Sequence, residues 1–334
     1  MKNLQEVMTQ GLTKELLATL LRLKGFGPTT VHKIAEGAEG IETPKDLYKY
    51  ISTLPDKKSK GVTLEQILSN YEEVLYLIEK SEDEGVGLIG YYDANFPKIL
   101  HHCIDGDGKL TPPLLLYYRG NLDVLKLPGV AVIGTREPTH NGIKAGQYFS
   151  GVLAKHGFNI ISGLATGCDT SAHEGALLGG GATTAFLAHG LNWESTYPKE
   201  NIELAENIVA AGGLLLSEYS IEKKITTYHL VARDRLQAGL ANGTIVIQTG
   251  VKGGTMHAVK ATLMAKKPLF AVDFIQKEDL MHEKVQGNLM LLREGHATSI
   301  NSKNIDSVID VLTQKPVYRY GQKNLFKQYE IDNI

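Results

Sequence analysis

Arg136 closes the segment Val130-Ala-Val-Ile-Gly-Thr-Arg136, two residues after a glycine that ends an apolar run. A guanidinium so placed can reach an anion over the end of a strand. Two further glycine turns share the setting: Ser162-Gly-Leu-Ala-Thr-Gly-Cys-Asp169 follows Ile160-Ile161, and Thr249-Gly-Val-Lys-Gly-Gly-Thr255 follows Ile245-Val-Ile-Gln248. Each comes after a short apolar run and before a helix-like pattern. In a parallel α/β sheet such turns stand side by side at the carboxyl edge, where backbone N–H groups and helix N-termini attract phosphate. The candidate phosphate contacts are therefore Gly134, Thr135 and Arg136 in the first turn, Ser162, Gly163, Thr166 and Gly167 in the second, and Lys252, Gly253, Gly254 and Thr255 in the third.

Other reactive residues offer less. Asp169 reads as a cap for the helix that follows, accepting from N–H groups two or three residues on. His173, one turn later, has two readings, packing or acid–base catalysis, and no second carboxylate or nucleophile is spaced with it. Cys168 is a buried filler or a reactive thiol. With Cys103 it makes only two cysteines, too few for a disulfide framework or a structural zinc. His101-His102 and His282-Glu283 lack further metal ligands at useful spacing. Neither G-x-x-x-x-G-K-[ST] nor G-x-G-x-x-G occurs: Gly134-Thr-Arg-Glu-Pro-Thr139 puts arginine and proline where a dinucleotide fold needs glycines. No catalytic residue, metal or cofactor is expected.

The elements that must hold these turns follow from the rest of the 334 residues, 43% hydrophobic and 22% charged. Residues 1–84 read as helices: Leu16, Leu17, Leu20, Leu21 and Leu23, then Val31, Ile34 and Ala35, keep helical spacing around Gly25-Phe-Gly-Pro28, Thr43-Pro44 opens another helix, and Thr63 a fourth. From residue 85 strands expected at 86–90, 114–118, 130–134, 158–161, 183–188, 214–217, 244–249, 269–272 and 297–300 alternate with helices near 141–156, 170–178, 200–212, 229–241, 255–266 and 285–294. Apolar strands in such alternation predict a mostly parallel sheet with helices on both faces, an extended Rossmann-like α/β domain over 85–302 after a small all-α domain. Residues 303–334 read as a short tail. No apolar run approaches the roughly 18 residues of a membrane span and no signal peptide opens the chain, so the expected location is the cytoplasm. The net charge of −2 supplies no global basic field, and any nucleic-acid contact must come from a local patch.

Read in order, Tyr91-Tyr-Asp-Ala-Asn-Phe-Pro97, Pro112-Pro-Leu-Leu-Leu-Tyr-Tyr-Arg-Gly-Asn121, Val130 to Arg136, Ser162 to Asp169 with Ala172-His173, Tyr197-Pro-Lys-Glu-Asn201 and Ser217-Glu218 resemble the motif series of the DNA-processing protein A (DprA/Smf) family. That resemblance covers about residues 90–300. It implies a single-stranded DNA-binding protein, usually a homodimer, that protects incoming strands and loads a RecA-type recombinase on them during natural transformation. Arg233 and Arg235 match the position of the family's arginine-rich stretch, and with Arg136 and Lys252 they would form a local basic pocket. Tyr197 and Tyr228 are the nearest aromatics for base stacking, core or rim packing being the other reading. Leu23-Lys-Gly-Phe-Gly-Pro-Thr-Thr-Val-His-Lys-Ile34 resembles a helix-hairpin-helix that grips a DNA backbone; a plain hairpin packed on the main domain is the alternative.

The chain also departs from the family pattern. Thr166 stands where the second turn usually has arginine, and Arg233-Asp234-Arg235 where the family has Arg-Asn-Arg, a carboxylate in place of an amide. The third turn resembles the Gly-Gly-Thr turns of related nucleotide-binding proteins, which keeps open a nucleotide or nucleotide-derived signal as ligand. Phosphoribohydrolases of that group carry a glutamate shortly after this turn; Met256-His-Ala258 does not. No winged-helix domain is expected in the last 34 residues.

Overall fold

Val130, Ala131, Val132 and Ile133 are all apolar because the strand they form is covered on both sides; alternate residues face different cores. The computed structural model describes residues 11–314. Five helices come first, α1 (Lys14–Leu21), α2 (Pro28–Ala35), α3 (Pro44–Thr53), α4 (Lys57–Lys60) and α5 (Leu64–Asp83). Thr13, Thr43, Asp56 and Thr63 cap α1, α3, α4 and α5 through their side-chain oxygens, and Thr63 and Gln66 close a capping box. The strands β1 (Gly87–Gly90) and β2 (Leu115–Gly120) follow. Then come β3 (Gly129–Ile133), α6 (His140–Lys155), β4 (Asn159–Ser162), α7 (Cys168–Leu178), β5 (Thr183–Leu187), α8 (Ile202–Ala210) and β6 (Leu214–Ser217). The order closes with α9 (Thr227–Leu240), β7 (Gly243–Val246), α10 (Thr255–Met264), β8 (Leu269–Val272), α11 (Lys277–Leu280), α12 (Gln286–Arg293), β9 (Thr298–Ile300) and α13 (Ile305–Thr313).

The sheet runs β1-β2-β6-β5-β4-β3-β7-β8-β9. β1, β2 and β6 pair antiparallel and every other neighbour is parallel. From β3 the chain winds outward through β4, β5 and β6, then α9 carries it back across to β7 on the other side of β3. That reversal is the topological switch point where α/β sheets open a crevice beyond their carboxyl ends.

One face of the sheet packs on α9, α10 and α12 through Leu236, Leu240, Met256, Val259 and Leu291. On the other face α6, α7 and α13 cover Val130, Val132, Ile245 and Phe270, while α8 and the N-terminal helices cover Leu115, Leu187 and Leu215. The N-terminal helices are thus an extension of one helical layer. Their Leu16, Leu20, Val31, Leu47 and Ile67 share a core with the antiparallel edge, and His32 Nε2 meets the carbonyl of Pro112 at 3.0 Å. In the Gly25-Phe26-Gly27 turn Phe26 is buried in that core while the glycines and Lys24 face solvent.

Downstream of residue 302 the chain is more than a tail: α13 buries Ile305, Val308 and Leu312 beneath the sheet, and Asn242 Nδ2 donates to the carbonyl of Leu312 at 3.0 Å. Residues 315–334, the rest of the expected tail, lie outside the described residues.

Candidate nucleic-acid interface

The three glycine turns meet where topology requires. Thr135 N donates to Gln248 O at 2.7 Å and Cys168 N to Thr135 O at 3.0 Å, stitching the turn after β3 to that after β7 and to the start of α7. A Cβ on Gly134 would fall 2.4 Å from Cys168 Sγ, and one on Gly167, whose φ is +81°, 2.5 Å from Arg136 O. Both glycines are therefore demanded by close backbone approach. Burial pushes the Cys168 thiol up to about 12, so it acts as filler beneath Gly134.

Above these turns opens a cleft of about 690 Å³, lined by Gly134, Thr135, Arg136, Asp234, Lys252, Gly253, Gly254 and Thr255 among others. A smaller lobe of about 260 Å³ continues it over the ends of β4 and β5, past Gly163, Thr166, His189, Tyr197 and Ile225. Arg136, Ala165, Tyr197, Leu230 and Arg233 border both. Arg136 and Lys252 are exposed and, among the described residues, have no carboxylate within ion-pair distance. A Cβ on Gly253 or Gly254 would meet nothing within 4 Å, and α10 starts beside them without a side-chain cap, Met256 N and His257 N donating back to Gly253 O and Gly254 O at 3.2 and 3.0 Å.

Arg233 is only 5% exposed. Its Nη1 donates to Phe186 O at 2.9 Å, and its guanidinium lies against Gly163, where any Cβ would collide with it. Asp234 Oδ1 stands 3.3 Å from its Nε. Asp169 does not cap α7 forward; its Oδ2 accepts from Ala165 N at 3.2 Å, four residues back, and so closes the second turn on itself.

Several expected contacts are engaged elsewhere. Ser162 Oγ donates to Val132 O at 2.7 Å and is fully buried. Arg235 points to the far side of α9, gripping both oxygens of Glu218 at 2.7 and 2.8 Å and donating from Nε to Thr111 O at 3.1 Å. Neither lines the cleft, because each answers an interior acceptor. His173 packs: Thr183 Oγ1 donates to Ile160 O, which leaves its lone pair for His173 Nδ1–H at 2.7 Å, and burial takes the imidazole down to about 3.

Of the wall that α9 forms, sequence reasoning took only Arg233 and Arg235 as contacts. Thr227, Leu230, Val231, Asp234 and Gln237 repeat at helical spacing along α9 and face the cleft. That spacing was the available signal, once α9 is recognised as the helix that crosses the switch point. Lys284, which reaches the cleft from just before α12 and pairs with Glu283 at 3.1 Å, had no local signal. Tyr197 is 43% exposed between the lobes; Tyr228 is 77% exposed on α9 nearby but lines neither.

A family model for DNA recombination-mediator protein A matches residues 87–313. The chain belongs to that family. Membership assigns it to DNA processing in recombination, and the matched span takes in α13 as well as all three turns. Protein Smf of Synechocystis is 31% identical over 309 residues, covering 90% of this chain and 73% of that relative. DNA processing protein DprA of Streptococcus pneumoniae is 38% identical over 160 residues, 48% of this chain and 55% of the relative. Its crystal structure superposes with a TM-score of 0.69 at 26% identity, over 88% of this chain and 95% of that one. A structure addressing the single-stranded DNA binding mode of the Helicobacter pylori family member superposes with a TM-score of 0.56 at 30% identity, over 68% of this chain and 95% of that one. No helix among the described residues is long and apolar enough to cross a membrane.

Proposed function

We propose that the cleft holds phosphates of single-stranded DNA and that the chain works without catalysis, as a cytoplasmic homodimer that shields incoming strands and passes them to a RecA-type recombinase. The observation that carries this is the pairing of two cations with no ion-pair partner among the described residues, Arg136 and Lys252, with the open glycine turn at the switch point. Arg136 supplies a planar fork for phosphate, Lys252 a point charge, and the turn a surface that a backbone oxygen can approach closely. The proposed contact set is Gly134, Thr135, Arg136, Gly163, Thr166, Lys252, Gly253, Gly254 and Thr255, with Arg233 at its floor; Ser162 and Arg235 leave it. The Helicobacter pylori relative, whose structure concerns single-stranded DNA, supports the ligand class. A free nucleotide is the competing ligand, favoured by the same open Gly253-Gly254 turn.

Fluorescence anisotropy with a labelled oligothymidine and its duplex, across a salt series, tests the reading. Wild type is expected to prefer the single strand, with log K falling against log salt at a slope of about −2 if three phosphates are held per cleft. Arg136→Ala should weaken binding and flatten the slope by about 0.7. Absence of strand binding at low salt, together with saturable binding of a mononucleotide, would sink the DNA reading in favour of the nucleotide.

A further inference from the structure

Two carboxylates act on Arg233. Asp234 holds Oδ1 3.3 Å from its Nε, and Asp169, enclosed at the start of α7, feels the same guanidinium. Two carboxylates against one buried guanidinium leave surplus negative charge at the floor of a cleft read above as a phosphate site. Like charges crowded at low dielectric are relieved by protonating one of them. Burial raises the Asp169 carboxyl above its ordinary range, opposed by Arg233 and by the amides of Ala165 and Gly163, which favour its ionised form. Asp234 has no backbone donor among the described residues, and its side chain, 15% exposed, borders the cleft.

The groups around Asp234 come from every neighbouring element. On α9 these are Arg233 and Gln237, with Arg235 turned to the opposite face toward Glu218. Asp169 looks in from α7, with neutral His173 behind it; the turn after β3 brings Arg136 and Glu137, the third turn Lys252, and the segment before α12 Lys284. The part of α10 that lines the cleft, Thr255 and Ala258, carries nothing titratable. Burial pushes the Asp234 carboxyl up to about 7; Asp169 adds to that push, while Arg233 and Arg136 oppose it.

We propose that Asp234 takes up a proton from solvent when a phosphate enters the cleft, so that strand binding is proton-linked and tightens as pH falls through neutrality. This rests on reading the cleft as a phosphate site. An anion arriving beside Asp234 raises its affinity for a proton further, and the neutral carboxyl, unlike the carboxylate, can donate a hydrogen bond to a phosphate oxygen. Above neutrality the free carboxylate must gain a proton on binding, so affinity changes by up to about tenfold per pH unit. At acid pH the group is already neutral and the dependence vanishes. An amide at this position, the family's pattern, would hold the site permanently in the neutral, donating condition.

Isothermal titration calorimetry of the full chain with an oligothymidine lacking terminal phosphates, at pH 7.5 in buffers of low and high ionisation enthalpy, counts the protons gained on binding. Wild type is expected to gain between about 0.5 and 1 proton per cleft. Asp234→Asn should gain none, and should bind at pH 8 as tightly as wild type does in mild acid. Because uptake is read on wild type, the test stands even if the variant folds poorly. Binding without proton uptake, or uptake undiminished in a folded Asp234→Asn, overturns the proposal and leaves the phosphate reading intact. No binding in any buffer removes that reading, and the proposal falls with it.

Discussion

An arginine serves as a phosphate ligand only while its guanidinium has donors free to give. Arg136 has them, exposed at the cleft mouth. Arg233 is partly committed to Phe186 O and Asp234, and so sets the charge of the floor more than it grips a ligand. Arg235 is fully committed: a buried bidentate pair with Glu218 plus a bond to Thr111 O ties α9 to the ends of β6 and of the loop before β2. Removing one partner of a buried pair strands the other, at a cost of about 3–5 kcal/mol. Arg235→Ala should therefore lose about that much stability in urea unfolding while leaving the salt slope of strand binding unchanged, the reverse of Arg136→Ala. A flatter slope in Arg235→Ala, with stability intact, would return Arg235 to the DNA surface.

Among elements, α9 matters most to the cleft, since it is both a wall and the connection that makes the switch point. Its C-terminal end is held from outside: Lys267, in the turn between α10 and β8, donates to the carbonyls of Ala238, Gly239 and Ala241 at 2.8, 2.7 and 2.7 Å. These are carbonyls that a helix end leaves without intrahelical partners. Lys267→Met keeps the apolar stem but orphans all three, and is expected to lower stability by about 3 kcal/mol, read as a shift in the urea midpoint at constant m-value. An unmoved midpoint would mean water satisfies the helix end as well as lysine does. The elements themselves were legible from sequence because each is a local pattern: apolar runs before glycine turns marked β3, β4 and β7, and Thr-Pro marked α3. Illegible were pairings between distant residues. Nothing in Arg233-Asp-Arg235 tells which arginine meets Glu218, since that depends on which face of α9 looks at β6. Asp169 reads as a forward cap by position alone, and only the fold of its turn points it back to Ala165. The tail boundary at 302 is different, because Ile305, Val308, Ile309 and Leu312 keep helical spacing and form the face of α13 that packs under the sheet, a local pattern present in the sequence itself.

At the scale of the molecule, the net charge of −2 supplies no global basic field and leaves any attraction for nucleic acid to a local patch, while the hydrophobic layers make the helical segment and the sheet one body. Leu16, Leu20 and Ile67 from the helices contact the same core as Leu115, Leu187, Leu215 and Ile221. Ile221 belongs to the loop between β6 and α9, whose Ile225 lines the smaller lobe, and Lys80 of α5 pairs with Glu222 of that loop at 2.6 Å. A cleft wall is thus buttressed by the N-terminal helices. A shared core should unfold as a unit. The sole tryptophan, Trp193, packs against this core from the sheet side with the Arg119 guanidinium 4.5 Å above its ring, so its fluorescence reports the sheet while circular dichroism weights the helices. The two denaturation curves are expected to coincide. Leu16→Ala, a cavity in α1, should shift both by about 3 kcal/mol, moving a tryptophan signal from a site in the helical segment. If helicity falls first while Trp193 fluorescence holds, or if Leu16→Ala moves only the helical signal, the helices are a separate unit and the cleft wall stands without them.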